Sequence, residues 1–341
     1  GEMGGRRADL YYGLSYRQGS TDQQLGPVFF PVNGDSTQEA MGLDVFAEGR
    51  LFVTDRLALV AGGSFGRATR DYEDHLNTAN NDGATFEWFA PRVGLIWQSA
   101  EGAQIYANIT RSVEPPHYGA LVQAPYPAFT PVEPQEAWTG EIGARGRSGA
   151  LIWDVTFYRS QLENELLTFN NAYGLPSAFA NADETTHQGI EAALDWTLSD
   201  DFLGGAVLLR QSFTYSDFAF DGDATFSDNR LPVIPEHQYR ATLRYTNASW
   251  FLAPSVEWRP SDTFVDYANT LEAPDYTIWS LNAGVELGER ASLFIDARNL
   301  ADEAYAPEFG AITDASAPGA NTAVFYPGEG RAVFVGLSSR F

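Results

Sequence analysis

Apolar and polar residues alternate one by one along most of the chain, in segments of about ten residues. In the segment 279–287, Trp, Leu, Ala, Val and Leu occupy the odd positions, and Ser, Asn, Gly and Glu occupy the even ones. Successive side chains of a strand point to opposite faces of a sheet, so each such segment has one apolar and one polar face. The alternation recurs at 190–196, 239–245 and 252–259, whereas no stretch of useful length has the period of a helix. The pattern therefore predicts an all-β fold.

Fourteen strands are predicted, and the connections between them alternate between short and long. The strands are expected at residues 8–18, 38–52, 55–74, 84–98, 102–113, 135–146, 150–162, 185–198, 204–218, 236–247, 249–260, 275–287, 290–300 and 329–341. Six connections are short turns, and the other seven are long and rich in Gly, Pro and Asp. In an antiparallel sheet of consecutive strands, this order places every long connection at the same end.

The strands of a soluble β-sandwich would also alternate between apolar and polar residues. The residues at the ends of the segments distinguish a membrane barrel from such a sandwich. Tryptophans lie near these ends, where the aromatic girdles of a barrel meet the two membrane interfaces. They are Trp97, Trp138, Trp196, Trp250, Trp258 and Trp279. Long loops at one end and short turns at the other are typical of a barrel with its turns in the periplasm. We therefore expect a transmembrane antiparallel up-and-down β-barrel, and a soluble sandwich is the alternative.

The chain closes on an alternating segment, 333–341, whose last residue is Phe341. A terminal strand with a C-terminal Phe resembles the signal that outer-membrane barrels present to the barrel-assembly machinery. Ser339 departs from that signal, which usually has an apolar residue at this place. Phe341 is therefore the predicted assembly signal.

Charge and composition exclude several functions. The formal net charge is −24, and such a surface would repel a nucleic acid. The absence of cysteine excludes disulfides and thiolate metal sites. All 21 basic residues counted as Lys or Arg are Arg, which indicates either genomic base composition or bidentate recognition of anions.

From Pro91 onward the chain resembles the C-terminal barrel of TonB-dependent receptors, in particular those related to ferric-dicitrate and other ferric-siderophore receptors. Several segments in the same order carry the resemblance. They are 91–97 (PRVGLIW), 105–116 (IYANITRSVEPP), 133–146 (EPQEAWTGEIGARG), 153–169 (WDVTFYRSQLENELLTF), 187–191 (HQGIE), 215–245 and 297–305 (ARNLADEAY).

The resemblance implies a barrel of about 22 strands occluded by an N-terminal plug. Residues 1–341 are then expected to be the C-terminal part of the barrel domain, with about 14 of those strands and no plug. The implied function is uptake of a ferric chelate, such as a ferric siderophore or ferric citrate, across a Gram-negative outer membrane. Coupling to TonB, ExbB and ExbD is expected to run through a plug outside this chain, because no TonB box is recognisable.

Two other functions are considered. A passive porin would be a closed channel of fourteen strands, in which the first strand pairs with the last. A hydrolase would need a base beside a nucleophile, and the four histidines, His75, His117, His187 and His237, show no catalytic pattern around them. The resemblance favours a receptor that is not an enzyme and that holds no covalently bound cofactor.

Capture of an anionic chelate requires cations near the outer vestibule, and the guanidinium fork suits carboxylate oxygens. The predicted ligand-binding residues therefore lie in or beside the long loops. They are Arg111, His117, Tyr118, Arg159, Arg230, Arg259, Tyr267 and Tyr305. The alternative for each arginine is an ion pair with a nearby acid.

An acidic loop supplies a further hypothesis. Asp217, Asp221 and Asp223 could offer oxygen ligands to calcium, or bind lipopolysaccharide through bridging divalent ions, although a hydrated acidic loop is the simpler interpretation. No other cluster suggests a metal site.

Overall fold

The structure, a computed structural model, describes residues 1–26, 34–100, 102–122, 129–170 and 176–339. Its main feature is one antiparallel sheet, in which fourteen long strands follow one another in chain order and the short strand Glu2–Met3 pairs with the first. The long strands are β1 (Arg6–Leu25), β2 (Gly34–Phe52), β3 (Leu57–Asp74), β4 (Asp82–Gln98), β5 (Gln104–Glu114), β6 (Gln135–Ser148), β7 (Leu151–Glu163), β8 (Glu184–Phe202), β9 (Gly205–Phe220), β10 (His237–Asn247), β11 (Trp250–Arg259), β12 (Tyr276–Glu286), β13 (Ala291–Arg298) and β14 (Ala332–Ser339).

The predicted strands are confirmed, and several extend beyond their predicted ends. The strand predicted at 8–18 covers Arg6–Leu25, because it pairs with β2 as far as Leu25 opposite Gly34. Among the described residues no register joins β1 to β14, so the sheet has two free edges and is not a closed channel of fourteen strands. Phe341 lies outside the described residues, and its role in assembly stays a prediction.

The two faces of the sheet differ as the alternation predicts. The six tryptophans named above, of eight in the chain, have the parity of the apolar face, and each is between 40% and 51% exposed. Trp97, Trp196 and Trp250 lie near the short turns, and Trp138, Trp258 and Trp279 lie toward the long connections. These are the two aromatic girdles of a barrel, so the apolar face is the outer face toward lipid.

The opposite, inner face carries polar networks. Arg92 donates to Glu48 at 3.0 Å, Asn108 donates to Glu141 at 2.8 Å, and Arg145 donates to Gln104 at 2.7 Å. Such a wall suits a wet or plug-filled lumen rather than a dry core.

Several glycines on this sheet lie under aromatic rings of neighbouring strands. A Cβ at Gly143 would come within 2.4 Å of the Tyr106 hydroxyl oxygen, and one at Gly189 would come within 2.6 Å of that of Tyr158. Such rings cover the backbone that glycine leaves bare and help to fix the register. Gly189 belongs to the segment HQGIE, so this contact gives that motif a physical reason.

We expect Gly189→Val to lower strongly the amount of folded protein in the outer membrane. Its Cβ would lie 2.2 Å from the backbone oxygen of Tyr215, which cannot move without breaking the β8 to β9 ladder. Protease-resistant protein in outer-membrane fractions measures the effect. Gly42→Val is the matched control, since a Cβ there meets nothing within 4 Å. Equal yields of both variants would contradict the packing argument.

The long connections have structure of their own, which the sequence pattern did not predict. They contain the helix Tyr118–Leu121, the 3-10 turn Thr78–Asn80 and three small hairpins. The hairpins pair Leu166–Asn170 with Pro176–Asn181, Thr263–Phe264 with Glu272–Ala273, and Glu308–Phe309 with Phe325–Tyr326. No helix among the described residues is long and apolar enough to cross a membrane.

Candidate functional site

A polar cluster lies on the inner face of β10, β11 and β12, at the end of the long connections. Arg240 is opposite Glu257, and Arg259 is opposite Tyr276. Arg240 Nη2 is 3.2 Å from Glu257 Oε2, and the Tyr276 hydroxyl donates to Glu257 Oε1 at 2.9 Å. Trp258 has the opposite parity and lies on the outer face, so the alternation itself turns Arg259 inward.

Arg259 is the cation of this cluster that lacks a carboxylate. Its guanidinium carbon lies 4.9 Å from the centroid of the Tyr276 ring, and Nη1 donates to the Pro307 carbonyl oxygen at 3.2 Å. Within the described parts of the chain, no carboxylate lies within salt-bridge distance of it. Its buried Nε and the buried hydroxyl oxygen of Ser261 have no hydrogen-bond partner there. An unneutralised charge beside unused polar atoms can accept an anionic ligand.

Tyr305 completes the cluster from the last long connection. Its ring centroid lies 4.8 Å from that of Tyr276. Asn299 joins the two ends of this connection. It is 1% exposed, and its side chain donates to the backbone oxygens of Glu303 and Glu329. Asn299 belongs to the segment ARNLADEAY, so part of that motif fixes where Tyr305 lies. We call Arg240, Glu257, Arg259, Tyr276 and Tyr305 the inner cluster.

Other predicted ligand residues are occupied elsewhere. Tyr267 is 5% exposed in an apolar cluster with Leu167, Phe220 and Leu231, and its hydroxyl donates to the Thr168 carbonyl at 3.2 Å. Burial raises the pKa of the Tyr267 phenol. The side chain therefore holds three long connections together rather than facing a ligand.

His117 and Tyr118 support the helix Tyr118–Leu121. The Tyr118 hydroxyl exchanges two hydrogen bonds of 2.9 Å with the backbone of Asp71. The His117 ring packs edge-on against Phe179, with the centroids 5.1 Å apart. Both residues anchor this connection to its neighbours, and a role in ligand binding stays a prediction.

Three of the four predicted arginines have the parity of the outer face. Arg111 is opposite Trp138 and forms an ion pair with Glu136. Arg159 is opposite Gly140, two residues along each strand from the pair of Phe157 and Ile142 and therefore on the same face. Arg230 bridges to Ala219 and pairs with Asp217 and Glu236.

The structure thus brings together Arg259 and Tyr305 of the predicted set, and it separates the outer arginines from them. A ligand-binding role for Arg111, Arg159 and Arg230 stays a prediction that their orientation does not favour. Arg240, Glu257 and Tyr276 were missed as site residues, although their strand parity and position near a long connection could have identified them.

The three loop aspartates have separate partners. Asp217 accepts from Gln188 at 2.9 Å, Asp221 accepts from Gln161 at 3.1 Å, and Asp223 accepts from the amides of Thr225 and Phe226. No group of three or more His, Asp or Glu that could hold a metal occurs in the described ranges. Calcium binding at this loop stays an untested prediction.

The meandering sheet, the two girdles and the polar inner face define this chain as a wall of an outer-membrane-type β-barrel. Residues 2–300 match the family model described as "TonB dependent receptor-like, beta-barrel". The chain belongs to that family, whose members are outer-membrane transport receptors.

Solved structures share the fold at low identity. The ferric citrate transporter FecA is 17% identical with a TM-score of 0.81, and the match covers 100% of this chain and 52% of FecA. The ferric yersiniabactin uptake receptor FyuA from Yersinia pestis is 14% identical with a TM-score of 0.77, covering 98% and 51%. The ferric-catecholate import receptor Fiu from E. coli K12 in its closed form is 15% identical with a TM-score of 0.75, covering 98% and 52%. The chain therefore spans about half the length of each of these proteins.

Proposed function

We propose that the chain is the barrel portion of a TonB-dependent receptor in a Gram-negative outer membrane, and that the receptor takes up an anionic ferric chelate such as ferric citrate or a ferric siderophore. The observation that carries the proposal is the inner cluster, where Arg259 has neither a carboxylate in ion-pair distance nor a partner for its Nε among the described residues. Two tyrosine rings beside it can pack against the organic part of a chelator. FecA, FyuA and Fiu are receptors or transporters of ferric citrate, ferric yersiniabactin and ferric catecholates, and their likeness to this chain supports iron chelates as the class of cargo.

In the proposed function, the inner cluster binds the ferric chelate through its two arginines. Arg259 meets a carboxylate of the chelate through its planar fork, and Arg240 adds a second cation while it also balances Glu257. The cation-bearing wall concentrates the anion locally within a chain whose net charge is −24. Opening of the path and coupling to TonB, ExbB and ExbD are assigned to a plug outside this chain. The barrel-assembly machinery, through Phe341, and lipopolysaccharide stay predicted partners.

The two alternatives fit the structure less well. A passive porin of fourteen strands requires β1 to pair with β14, and that pairing does not occur among the described residues. A hydrolase requires an activated nucleophile. His75 does lie between Asp35 Oδ1 at 3.0 Å and Thr37 Oγ1 at 3.1 Å, but the Thr37 hydroxyl donates to Asp22 at 2.8 Å. That geometry directs the hydroxyl proton to a carboxylate rather than to the histidine.

Uptake of radioactive iron supplied as ferric citrate tests the proposed function. Iron-starved cells that carry the gene are expected to accumulate the label, and cells with the gene deleted are expected to lose that uptake. A proton uncoupler should abolish the difference, since receptors of this family depend on energy from the inner membrane. Uptake that persists with the uncoupler would indicate passive permeation and contradict the proposal. A panel of ferric siderophores, run in parallel, identifies the chelate.

A further inference from the structure

The inner cluster contains an acid and an arginine whose spacing suits an ion pair that they do not form. Glu257 and Arg259 are two positions apart on β11, so both point to the inner face. Glu257 instead binds two other groups. Its Oε1 accepts from the Tyr276 hydroxyl at 2.9 Å, and its Oε2 lies 3.2 Å from Arg240 Nη2. Both carboxylate oxygens are therefore engaged, and no carboxylate of the described residues pairs with Arg259.

Elsewhere in the sheet the same spacing does produce an ion pair. On β1, Arg7 Nη2 lies 3.0 Å from Asp9 Oδ2, and on β13, Arg298 Nη2 lies 2.7 Å from Asp296 Oδ2. Side chains two positions apart on one strand can thus reach each other in this protein. The inner cluster departs from that behaviour, and the departure needs a physical cause.

Tyr276 is placed to cause it. The side chain is 3% exposed, and its ring centroid lies 4.9 Å from the guanidinium carbon of Arg259. Its hydroxyl donates to the carboxylate of Glu257, and a hydrogen bond to an ionised group is stronger than one between neutral groups. The buried Nε of Arg259 has no partner among the described residues, so it is a donor available to Glu257 once the hydroxyl is lost.

We propose, on the basis of the proposed function, that Tyr276 is a positioning residue that keeps Glu257 away from Arg259. Without its hydroxyl, Glu257 competes with the ferric chelate for that arginine. The protein carboxylate and a chelate carboxylate would use the same planar guanidinium fork. An acid two residues away also acts at a high effective concentration, which an anion in solution has to exceed. The hydroxyl of Tyr276 thus keeps the cation open to an external anion.

A double-mutant cycle, measured by isothermal titration of the full-length receptor with ferric citrate or the chelate that the uptake panel identifies, tests this role. Tyr276→Phe keeps the ring and removes the hydroxyl. It should weaken binding at least about tenfold, because Glu257 takes one charge-assisted contact of Arg259 from the chelate. In a receptor that already carries Glu257→Gln, adding Tyr276→Phe should change the affinity by less than about twofold. Equal losses in the two backgrounds would overturn the proposal, since Tyr276 would then act on the chelate directly.

Tyr106→Phe is the matched control. Tyr106 is also on the inner face, and its ring centroid lies 5.6 Å from the guanidinium carbon of Arg145. Its hydroxyl is bonded to the Thr156 hydroxyl at 2.6 Å rather than to a carboxylate. Its removal releases no acid, so the chelate affinity should stay within about twofold. A loss in this control equal to that in Tyr276→Phe would contradict a role specific to Tyr276.

A crystal structure of the Tyr276→Phe receptor without chelate tests the same step independently of the ligand. The Glu257 carboxylate is expected within about 4 Å of the Arg259 guanidinium, the distance of an ion pair. A carboxylate that leaves Arg259 unpaired would overturn the inference even if the chelate binds to the natural receptor. Absence of chelate binding to the natural receptor would instead contradict the proposed function, and the crystal structure would still decide the role of Tyr276.

Discussion

Replacing Arg240 and Arg259 together by alanine is expected to weaken binding of ferric citrate by more than about a hundredfold. Each arginine offers a charge-assisted hydrogen bond worth about 1.5 kcal/mol or more, so the pair contributes about 3 kcal/mol. Arg259 is expected to contribute the larger part, because no described carboxylate competes for it, whereas Arg240 is shared with Glu257. Isothermal titration of the purified full-length receptor with ferric citrate, or with the chelate that the uptake panel identifies, measures the loss.

The matched control is the double variant Arg111→Ala and Arg159→Ala. It removes two arginines from the same end of the barrel, but both have the parity of the outer face. Chelate affinity should change by less than about threefold, since these residues are distant from the inner cluster. A large loss in this variant with little loss in the first would place the chelate on the outer arginines and contradict our assignment of the site.

The second large effect is expected at Asp266, which is buried between two long connections. Its carboxylate accepts hydrogen bonds from the amides of Thr270, Leu271 and Ala315 and from the Thr270 hydroxyl. Asp266→Ala leaves these donors without a partner, and unsatisfied buried donors cost about 1 to 3 kcal/mol each. The free energy of local opening should fall by roughly 3 kcal/mol or more, so these three amides should exchange at least about a hundredfold faster.

The pH dependence of the same contact has a defined sign. Burial opposes ionisation of Asp266, but the hydrogen bonds from Ala315, Thr270 and Leu271 outweigh it and lower the pKa below the ordinary value. The folded loops therefore favour the ionised form, whose stabilisation is present above the unfolded pKa of about 3.9 and is lost as the pH falls through the lowered pKa. The protection of the Ala315 amide, taken as its exchange rate relative to the intrinsic rate at the same pH, should stay constant at neutral pH and fall below about pH 4.

The control for Asp266→Ala is the yield of folded protein in the outer membrane, which reports assembly of the barrel. The contact lies outside the fourteen-strand sheet, so the yield of folded protein in the outer membrane should match that of the natural protein. Unchanged exchange at Thr270, Leu271 and Ala315 would show that Asp266 does not hold these loops together. A collapse of the yield would instead show that the loops are needed for the barrel to form.

The strands of this fold could be predicted because each of them repeats one local rule. Alternation in 279–287 gives both the strand and its outer face, and Trp279 marks its level in the membrane. The small hairpins could not be predicted in this way. Thr263–Phe264 and Glu272–Ala273 are two residues each, and Asp266 also binds Ala315, which is 49 positions away. Such contacts depend on how neighbouring loops meet, which periodicity does not report.

The site was predictable only in part, for a related reason. Proximity to a long connection selected Arg111 and Arg159 together with Arg259, whereas the parity of each residue within its strand distinguishes them. Arg159 shares its face with Phe157, and Arg259 alternates with Trp258. Parity was therefore the unused signal in the sequence. The contact of Tyr305 with Tyr276 could not be predicted from the sequence. It depends on the hydrogen bonds by which Asn299 fixes the backbone of the last long connection.

The position of iron in crystals of the full-length receptor soaked with ferric citrate tests the central claim most directly. Anomalous scattering locates the metal whatever the orientation of the chelate around it. Our account predicts an iron peak on the inner side of the sheet, in the vestibule bordered by Arg240, Arg259, Tyr276 and Tyr305. An ordered peak on the outer face beside Arg111 or Arg159, or one bound by the plug with no approach to the inner cluster, would contradict it.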